Sequence, residues 1–108
     1  MNYDVAFTDQ ASRQLEAIRD YIAVFADPAI AERYVDAVID RCLELYMFPH
    51  RGAQRDDLRP GLRTINFRKR VTIAFTVDDG AQKVTILGVC YGGQDLDAAF
   101  GSDDAFDR

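Results

Sequence analysis

The sequence predicts an α+β fold, in which a helical hairpin is packed on one face of an antiparallel sheet. Two observations support this prediction. Apolar residues recur every three or four positions over residues 9–48, as in amphipathic helices, whereas residues 62–91 contain the β-branched and aromatic runs typical of strands. One short strand pattern precedes the helices, so the predicted order is β-α-α-β-β-β. A chain of 108 residues is long enough for one domain of this kind.

The first strand and the first helix are predicted to meet at Thr8. Residues 3–8, YDVAFT, alternate in the period of two that is typical of a strand. Thr8 is a suitable N-cap for a helix over residues 9–25. The helix has one apolar stripe, formed by Ala11, Leu15, Ile18, Ile22 and Phe25.

A second helix is predicted from Pro28 to about Phe48. Asp27 suits the cap, Pro28 suits the first helical position, and Pro49 ends the helix. Its stripe contains Ala31, Val35, Val38, Cys42 and Leu45, widened by Tyr34, Ile39 and Tyr46. Because few residues join the two helices, we expect an antiparallel hairpin whose apolar stripes form the core.

Three strands are predicted after a polar loop over residues 50–61. The strand patterns are LRTINF (62–67), in which the alternation slips, VTIAFTV (71–77) and KVTILGVCY (83–91). Asp78, Asp79 and Gly80 lie between the last two and predict a hairpin turn.

Charge is distributed unevenly along the chain. The net charge is −5, yet residues 51–70 contain seven basic and two acidic residues, a local charge of +5 against −10 for the remainder. This polarity predicts a basic patch on an acidic body. It argues against a general nucleic-acid-binding protein, which is usually basic throughout, and it favours a protein partner with an acidic face.

The sequence also predicts the compartment. The N-terminal residues lack the basic and apolar regions of a secretory signal, and no apolar run approaches the ~20 residues that span a bilayer. Cys42 and Cys90 do not make a disulfide framework. We therefore expect a reduced cytoplasmic protein without a membrane partner.

Residues for catalysis or metal binding are scarce. His50 is the only histidine, no nucleophile is visibly paired with it, and the two cysteines lie in apolar segments. We expect no metal site and no cofactor.

Arg63 lies in a strand pattern after Pro60 and Gly61, and the sequence leaves two roles open for it. In the first role, Arg63 forms a structural ion pair with Asp57 or with a helix carboxylate. In the second role, it presents a fixed guanidinium to the carboxylate or phosphate of a partner.

Several motifs together resemble a known family. FPHRG (48–52), DDLRPGLR (56–63) and ILGVCYGGQDL (86–96), together with the helices before them, resemble ParE toxins of the RelE/ParE superfamily. The resemblance covers roughly residues 3–96, so we expect a toxin domain over residues 1–96 and an acidic tail over residues 97–108. The tail is longer and more acidic than is usual for the family. One hypothesis is that it folds back on the basic segment 51–70.

The resemblance implies a function without enzymatic activity. ParE-like proteins are toxins of type II toxin–antitoxin modules that inhibit DNA gyrase by protein–protein interaction. A ParD-like antitoxin neutralises them in a hetero-oligomer, and DNA is bound only through the antitoxin complex. On this basis the residues expected to contact a partner are Arg59, Arg63, Arg68, Lys69 and Arg70.

The RelE branch of the superfamily is the alternative, a ribosome-dependent mRNA endoribonuclease. Carried over to this chain, Arg63, Arg70 and Tyr91 would form its catalytic site. The acidic composition and the absence of Lys and Arg from GVCYGGQDL argue against it. Tyr91 is interpreted instead as a strand-end aromatic residue that packs on the core. A third hypothesis, a degenerate toxin that only binds its antitoxin, predicts no growth arrest.

Overall fold

The computed structural model describes residues 2–92 and contains two α-helices, one 3₁₀ helix and five strands within them. The elements in chain order are β1 (Asp4–Phe7), α1 (Asp9–Phe25), α2 (Pro28–Leu43), the 3₁₀ helix (Glu44–Tyr46), β2 (Ala53–Gln54), β3 (Arg63–Phe67), β4 (Val71–Asp78) and β5 (Lys83–Tyr91). The predicted boundary between a domain and a tail at residues 96 and 97 lies outside the described residues.

The predicted α+β architecture is confirmed, and the sheet is mixed rather than wholly antiparallel. The strand order is β1-β5-β4-β3-β2. Strands β2 to β5 pair antiparallel with their neighbours, whereas β1 pairs parallel with β5, with Val5 opposite Val84. The antiparallel strands leave one edge of β5 unpaired, and β1, which precedes the helical hairpin in the chain, supplies hydrogen-bonding groups to that edge.

Both helices begin where the sequence predicts. The Thr8 hydroxyl accepts a hydrogen bond from the Ala11 amide (3.1 Å), and the Asp27 carboxylate accepts one from the Ala29 amide (2.8 Å). Helix α2 ends at Leu43, earlier than the predicted Phe48, because its last turn tightens into the 3₁₀ helix Glu44–Tyr46. No helix within residues 2–92 is both long enough and apolar enough to cross a membrane.

The segment predicted as a loop over residues 50–61 contains the two-residue strand β2. Ala53 pairs with Thr64 and Gln54 with Arg63, and the Arg55 amide donates to the Leu62 carbonyl (2.8 Å). Both strand residues are exposed, so no alternating apolar pattern marks the strand in the sequence. The prediction of a loop is therefore wrong at these two positions.

The core lies between the helical hairpin and one face of the sheet. Leu15, Ile18, Val35 and Val38 are buried in it as predicted, and Ile22 and Ile39 pack at its margin. A smaller cluster on the opposite face contains Leu62, Ala74 and Cys90, with Leu58 and Leu87 packed against it. Leu62 therefore belongs to the other face from Ile65, which explains the slip in the alternation of LRTINF.

Candidate partner-binding site

The turn between β3 and β4 is made of basic residues in an unusual backbone conformation. Arg68 and Lys69 have φ angles of 50° and 61°, and the Arg70 amide donates to the Phe67 carbonyl (3.1 Å). β-Turns with positive φ at both central positions usually contain Asn-Gly there, because side chains with a Cβ are strained in this conformation. Strained residues of this kind concentrate at functional sites. We call Arg68, Lys69 and Arg70 the basic hairpin.

No carboxylate in the described part of the chain neutralises the charges of the basic hairpin. Its three side chains are exposed, and none of the salt bridges within residues 2–92 involves them. The guanidinium carbon of Arg68 lies 4.8 Å from the centre of the Phe67 ring and 5.9 Å from that of Tyr34. These distances allow cation–π interactions that fix the guanidinium while its donors stay available.

A groove of about 660 Å³ lies beside the basic hairpin. Helix α1 forms one wall, and the end of β5 with Arg70 forms the other. The side-chain carbonyl of Gln14 accepts a hydrogen bond from the Val89 amide (2.7 Å) across its base. The residues that line this hairpin groove are Gln14, Ala17, Ile18, Tyr21, Arg70, Val89, Tyr91 and Gly92.

Exposed apolar side chains continue from the groove onto the tip of the helical hairpin. Val24 and Phe25 are 76% and 73% exposed, and Tyr21 and Ile30 are also exposed. We call these four residues the apolar tip. The Tyr21 ring contacts both Phe25 (5.0 Å between centroids) and Tyr91 (5.7 Å), so the tip is continuous with the groove. Exposed aromatic side chains beside unpaired cations are typical of protein-binding surfaces.

Tyr91 packs at the end of β5 as an aromatic residue against the core, as predicted from its position. It is half-buried between Tyr21 and Tyr34, whose ring centroid lies 6.1 Å away. Tyr34 in turn lies edge-on to Phe67 (5.5 Å). The Tyr34 hydroxyl is buried without a hydrogen-bond partner in the described part of the chain. Burial raises the pKa of Tyr34, Tyr91 raises it further, and Arg68 and Arg70 oppose the rise.

We expect Tyr34→Phe to stabilise the protein by up to about 1 kcal/mol, because it removes a buried polar atom that has no hydrogen-bond partner within residues 2–92. Urea unfolding followed by circular dichroism measures the difference in free energy. Tyr3→Phe is the matched control, since the Tyr3 hydroxyl donates to Asp79 (2.8 Å) and its loss is expected to lower stability. A Tyr34→Phe variant less stable than the Tyr3→Phe variant would contradict the assignment of Tyr34 as unpaired.

Arg63 lies far from the basic hairpin. It is the first residue of β3 and pairs with Phe75, whereas Tyr91 pairs with Val71. The four steps along β4 between those partners correspond to about 13 Å. Arg63 borders a separate depression of about 200 Å³, together with His50, Gln54, Asp56, Gly61, Leu62, Val77 and Asp79. The structure therefore brings Arg70 and Tyr91 together and leaves Arg63 at the other end of the strand.

The side chain of Arg55, another arginine of the basic segment, is paired within its own loop. Arg55 donates two hydrogen bonds of 3.0 Å to the Asp57 carboxylate, which lowers the pKa of Asp57. Asp57 is thus paired with Arg55 rather than with Arg63. The Arg59 amide donates to the Arg55 carbonyl within the loop (3.2 Å). The Leu62 amide donates to the Arg59 carbonyl (3.0 Å), so Arg59 lies beside Arg63, at the end of β3 away from Arg68, Lys69 and Arg70.

Sequence reasoning missed a cluster around Asp79. The Asp79 carboxylate accepts the Tyr3 hydroxyl (2.8 Å) and lies 2.7 Å from Nε2 of His50. Three segments that are remote in the sequence meet at this carboxylate, and the sequence carries no local signal for it. The hydrogen bond from Tyr3 lowers the pKa of Asp79, and His50 and Arg63 add to the decrease.

The lowered pKa of Asp79 predicts a pH dependence of stability. A carboxyl group with a lower pKa in the folded state stabilises the protein above its ordinary pKa of 3.8, and the contribution disappears as pH falls through the folded-state pKa. We expect Asp79→Asn to be less stable than the unaltered protein at neutral pH and to converge with it below that range. Urea unfolding at several pH values tests this, and a difference that persists unchanged in acid would refute it.

Neither cysteine is placed as a reactive nucleophile. Burial raises the pKa of Cys42 to about 12, and burial also raises the pKa of Cys90. Both thiols are free and buried. Within residues 2–92 there is no group of three or more His, Cys, Asp or Glu side chains that could hold a metal ion.

Comparison with known proteins identifies the family. The family model described as the ParE toxin of the type II toxin–antitoxin system parDE matches residues 5–96. The chain belongs to the ParE toxin family. Comparison with curated protein sequences gave no match.

Solved structures of the superfamily share the fold of this ParE-family chain. A structure described as the chromosomal ParDE system of P. aeruginosa is 24% identical, with a TM-score of 0.72, and the match covers 83% of this chain and 96% of that one. The RelBE2 complex of Mycobacterium tuberculosis is 23% identical, with a TM-score of 0.61 and coverage of 87% and 95%. The isolated RelE toxin of E. coli is 14% identical, with a TM-score of 0.55 and coverage of 87% and 88%.

Proposed function

We propose that this ParE-family toxin acts in the cytoplasm by binding and inhibiting DNA gyrase, and that a ParD-like antitoxin neutralises it in a hetero-oligomer. The observation that carries this proposal is the continuous surface of the basic hairpin, the hairpin groove and the apolar tip. Its cations, which have no carboxylate partner within residues 2–92, and its exposed aromatic side chains suit an acidic protein partner with apolar anchors.

The same surface supports binding of the antitoxin as a segment that folds on contact. An acidic segment with apolar residues places carboxylates against Arg68, Lys69 and Arg70 and apolar side chains in the groove. Binding to DNA would then be a property of the antitoxin in the complex, because the body of this chain outside residues 51–70 is strongly acidic.

A RelE-like ribonuclease is the second candidate, favoured by one observation. Arg70 and Tyr91 line the same groove, so a cation and a hydroxyl could act on one phosphate. Arg63, the third residue that this chemistry would recruit, lies about 13 Å away along the sheet. Tyr91 is also packed between Tyr21 and Tyr34. Both features favour a toxin without enzymatic activity.

A supercoiling assay tests the proposed function directly. The purified chain is expected to inhibit supercoiling by DNA gyrase, and added antitoxin is expected to restore it. A parallel assay of mRNA cleavage on ribosomes should show no products. Cleavage that is lost in Arg70→Ala and Tyr91→Phe variants would establish the ribonuclease instead, and inactivity in both assays would contradict the proposed gyrase inhibition.

A further inference from the structure

The hairpin groove has a candidate occupant in the chain itself. Gly92 is at its rim, and the Gly92 amide donates to the Arg70 carbonyl (2.7 Å). The residues that follow, GQDLDAAFGSDDAFDR (93–108), therefore leave the described domain at the mouth of the groove. They contain five aspartates and one arginine, a net charge of −4, together with the apolar residues Leu96, Phe100 and Phe106.

We propose that residues 93–108 bind in the hairpin groove and against the basic hairpin, so that a protein partner must displace them. Charge complementarity supports this occupant. The first aspartate, Asp95, is three residues beyond Gly92, whose amide donates to the Arg70 carbonyl. The three exposed cations of the basic hairpin have no carboxylate partner within residues 2–92. The apolar residues match the floor of the groove, where Ala17, Ile18 and Val89 lie.

The length of the segment is compatible with this position. Leu96 is four residues beyond Gly92, so it reaches at most about 14 Å from the rim. The wall of the groove from Gln14 to Tyr21 rises about 10 Å along α1. A segment tethered this closely has an effective concentration on the order of millimolar, so weak contacts are sufficient for binding. Residues 93–108 would occupy the groove whichever partner the toxin binds.

Paramagnetic relaxation enhancement in the full chain tests the proposal. A nitroxide on the cysteine of a Ser102→Cys variant reports the position of the segment, and the buried native thiols Cys42 and Cys90 should remain unlabelled. We expect loss of the amide signals of Ala17, Ile18 and Tyr21, while the signals of His50 and Lys83 persist. The Debye screening length falls from ~10 Å at 0.1 M salt to ~3 Å at 1 M. High salt should therefore weaken the attraction between the aspartates and the basic hairpin and restore the lost signals.

Charge variants of the labelled chain provide the control. K69E/R70E is expected to restore the groove signals, whereas K83E, the same type of change at an exposed position of β5, should leave them broadened. D95N/D97N/D103N/D104N should also restore them without altering the folded domain. Groove signals that persist in the labelled Ser102→Cys chain without further changes, or broadening that survives these charge variants, would overturn the proposal. Broadening seen only between labelled and unlabelled chains would assign the groove to a second copy and equally overturn it.

Discussion

An R68E/K69E/R70E variant is expected to bind the antitoxin about 100-fold more weakly than the unaltered chain and to lose inhibition of gyrase. The three changes turn attraction to an acidic partner into repulsion at the charged end of the proposed surface. A loss of about 1 kcal/mol for each position gives this factor. Calorimetric titration with purified antitoxin measures the binding, and a supercoiling assay measures the inhibition.

Matched single substitutions test whether binding depends on the position of a charge or only on the net charge of the protein. K69E and K83E each change the net charge by two, at opposite ends of the sheet, and both side chains are exposed. We expect K69E to weaken binding and K83E to leave it unchanged. Equal effects of the two variants, or tight binding by the triple variant, would show that the partner contacts another surface.

Gly52→Ala is expected to destabilise the protein by about 3 kcal/mol or more. Gly52 has a φ of 84°, and a Cβ there would lie 2.3 Å from the Thr64 carbonyl oxygen and 2.6 Å from the Ile65 side chain. The substitution thus combines backbone strain with a clash against a strand that cannot move freely. Chemical unfolding followed by circular dichroism measures the loss, which we expect to separate β2 from β3.

Gly61→Ala distinguishes the clash from the strain. Gly61 has a similar φ of 80°, but a Cβ there would meet no atom within 4 Å. We expect this variant to lose only about 1 kcal/mol, the cost of the left-handed conformation. If the two alanine variants were equally stable, the close approach of Gly52 to β3 would not be a constraint on the fold.

The helices were predictable from the sequence because their signals are local. Thr8 and Asp27 cap the helices within a few residues, and the apolar stripes repeat along each helix. The parallel pairing of β1 with β5 was not predictable in this way, because it joins residues about eighty positions apart in the chain. Strand β2 has no apolar pattern, since both of its residues are exposed.

The candidate site was predictable in part, for a similar reason. Arg68, Lys69 and Arg70 are adjacent in the sequence, so their clustering follows from the chain itself. The separation of Arg63 from them depends on the length and direction of β3, and the engagement of Arg55 by Asp57 depends on loop geometry. The groove arises where α1 meets the end of β5, a contact between remote segments that residue types alone do not indicate.

Induced expression in a bacterial host without the antitoxin tests the central claim most directly, with the SOS response and bulk translation scored in the same culture. We predict SOS induction and filamentation while translation initially continues, because inhibition of gyrase damages DNA before it affects protein synthesis. Prompt arrest of translation without an SOS response would contradict inhibition of gyrase and assign Arg70 and Tyr91 to phosphate chemistry.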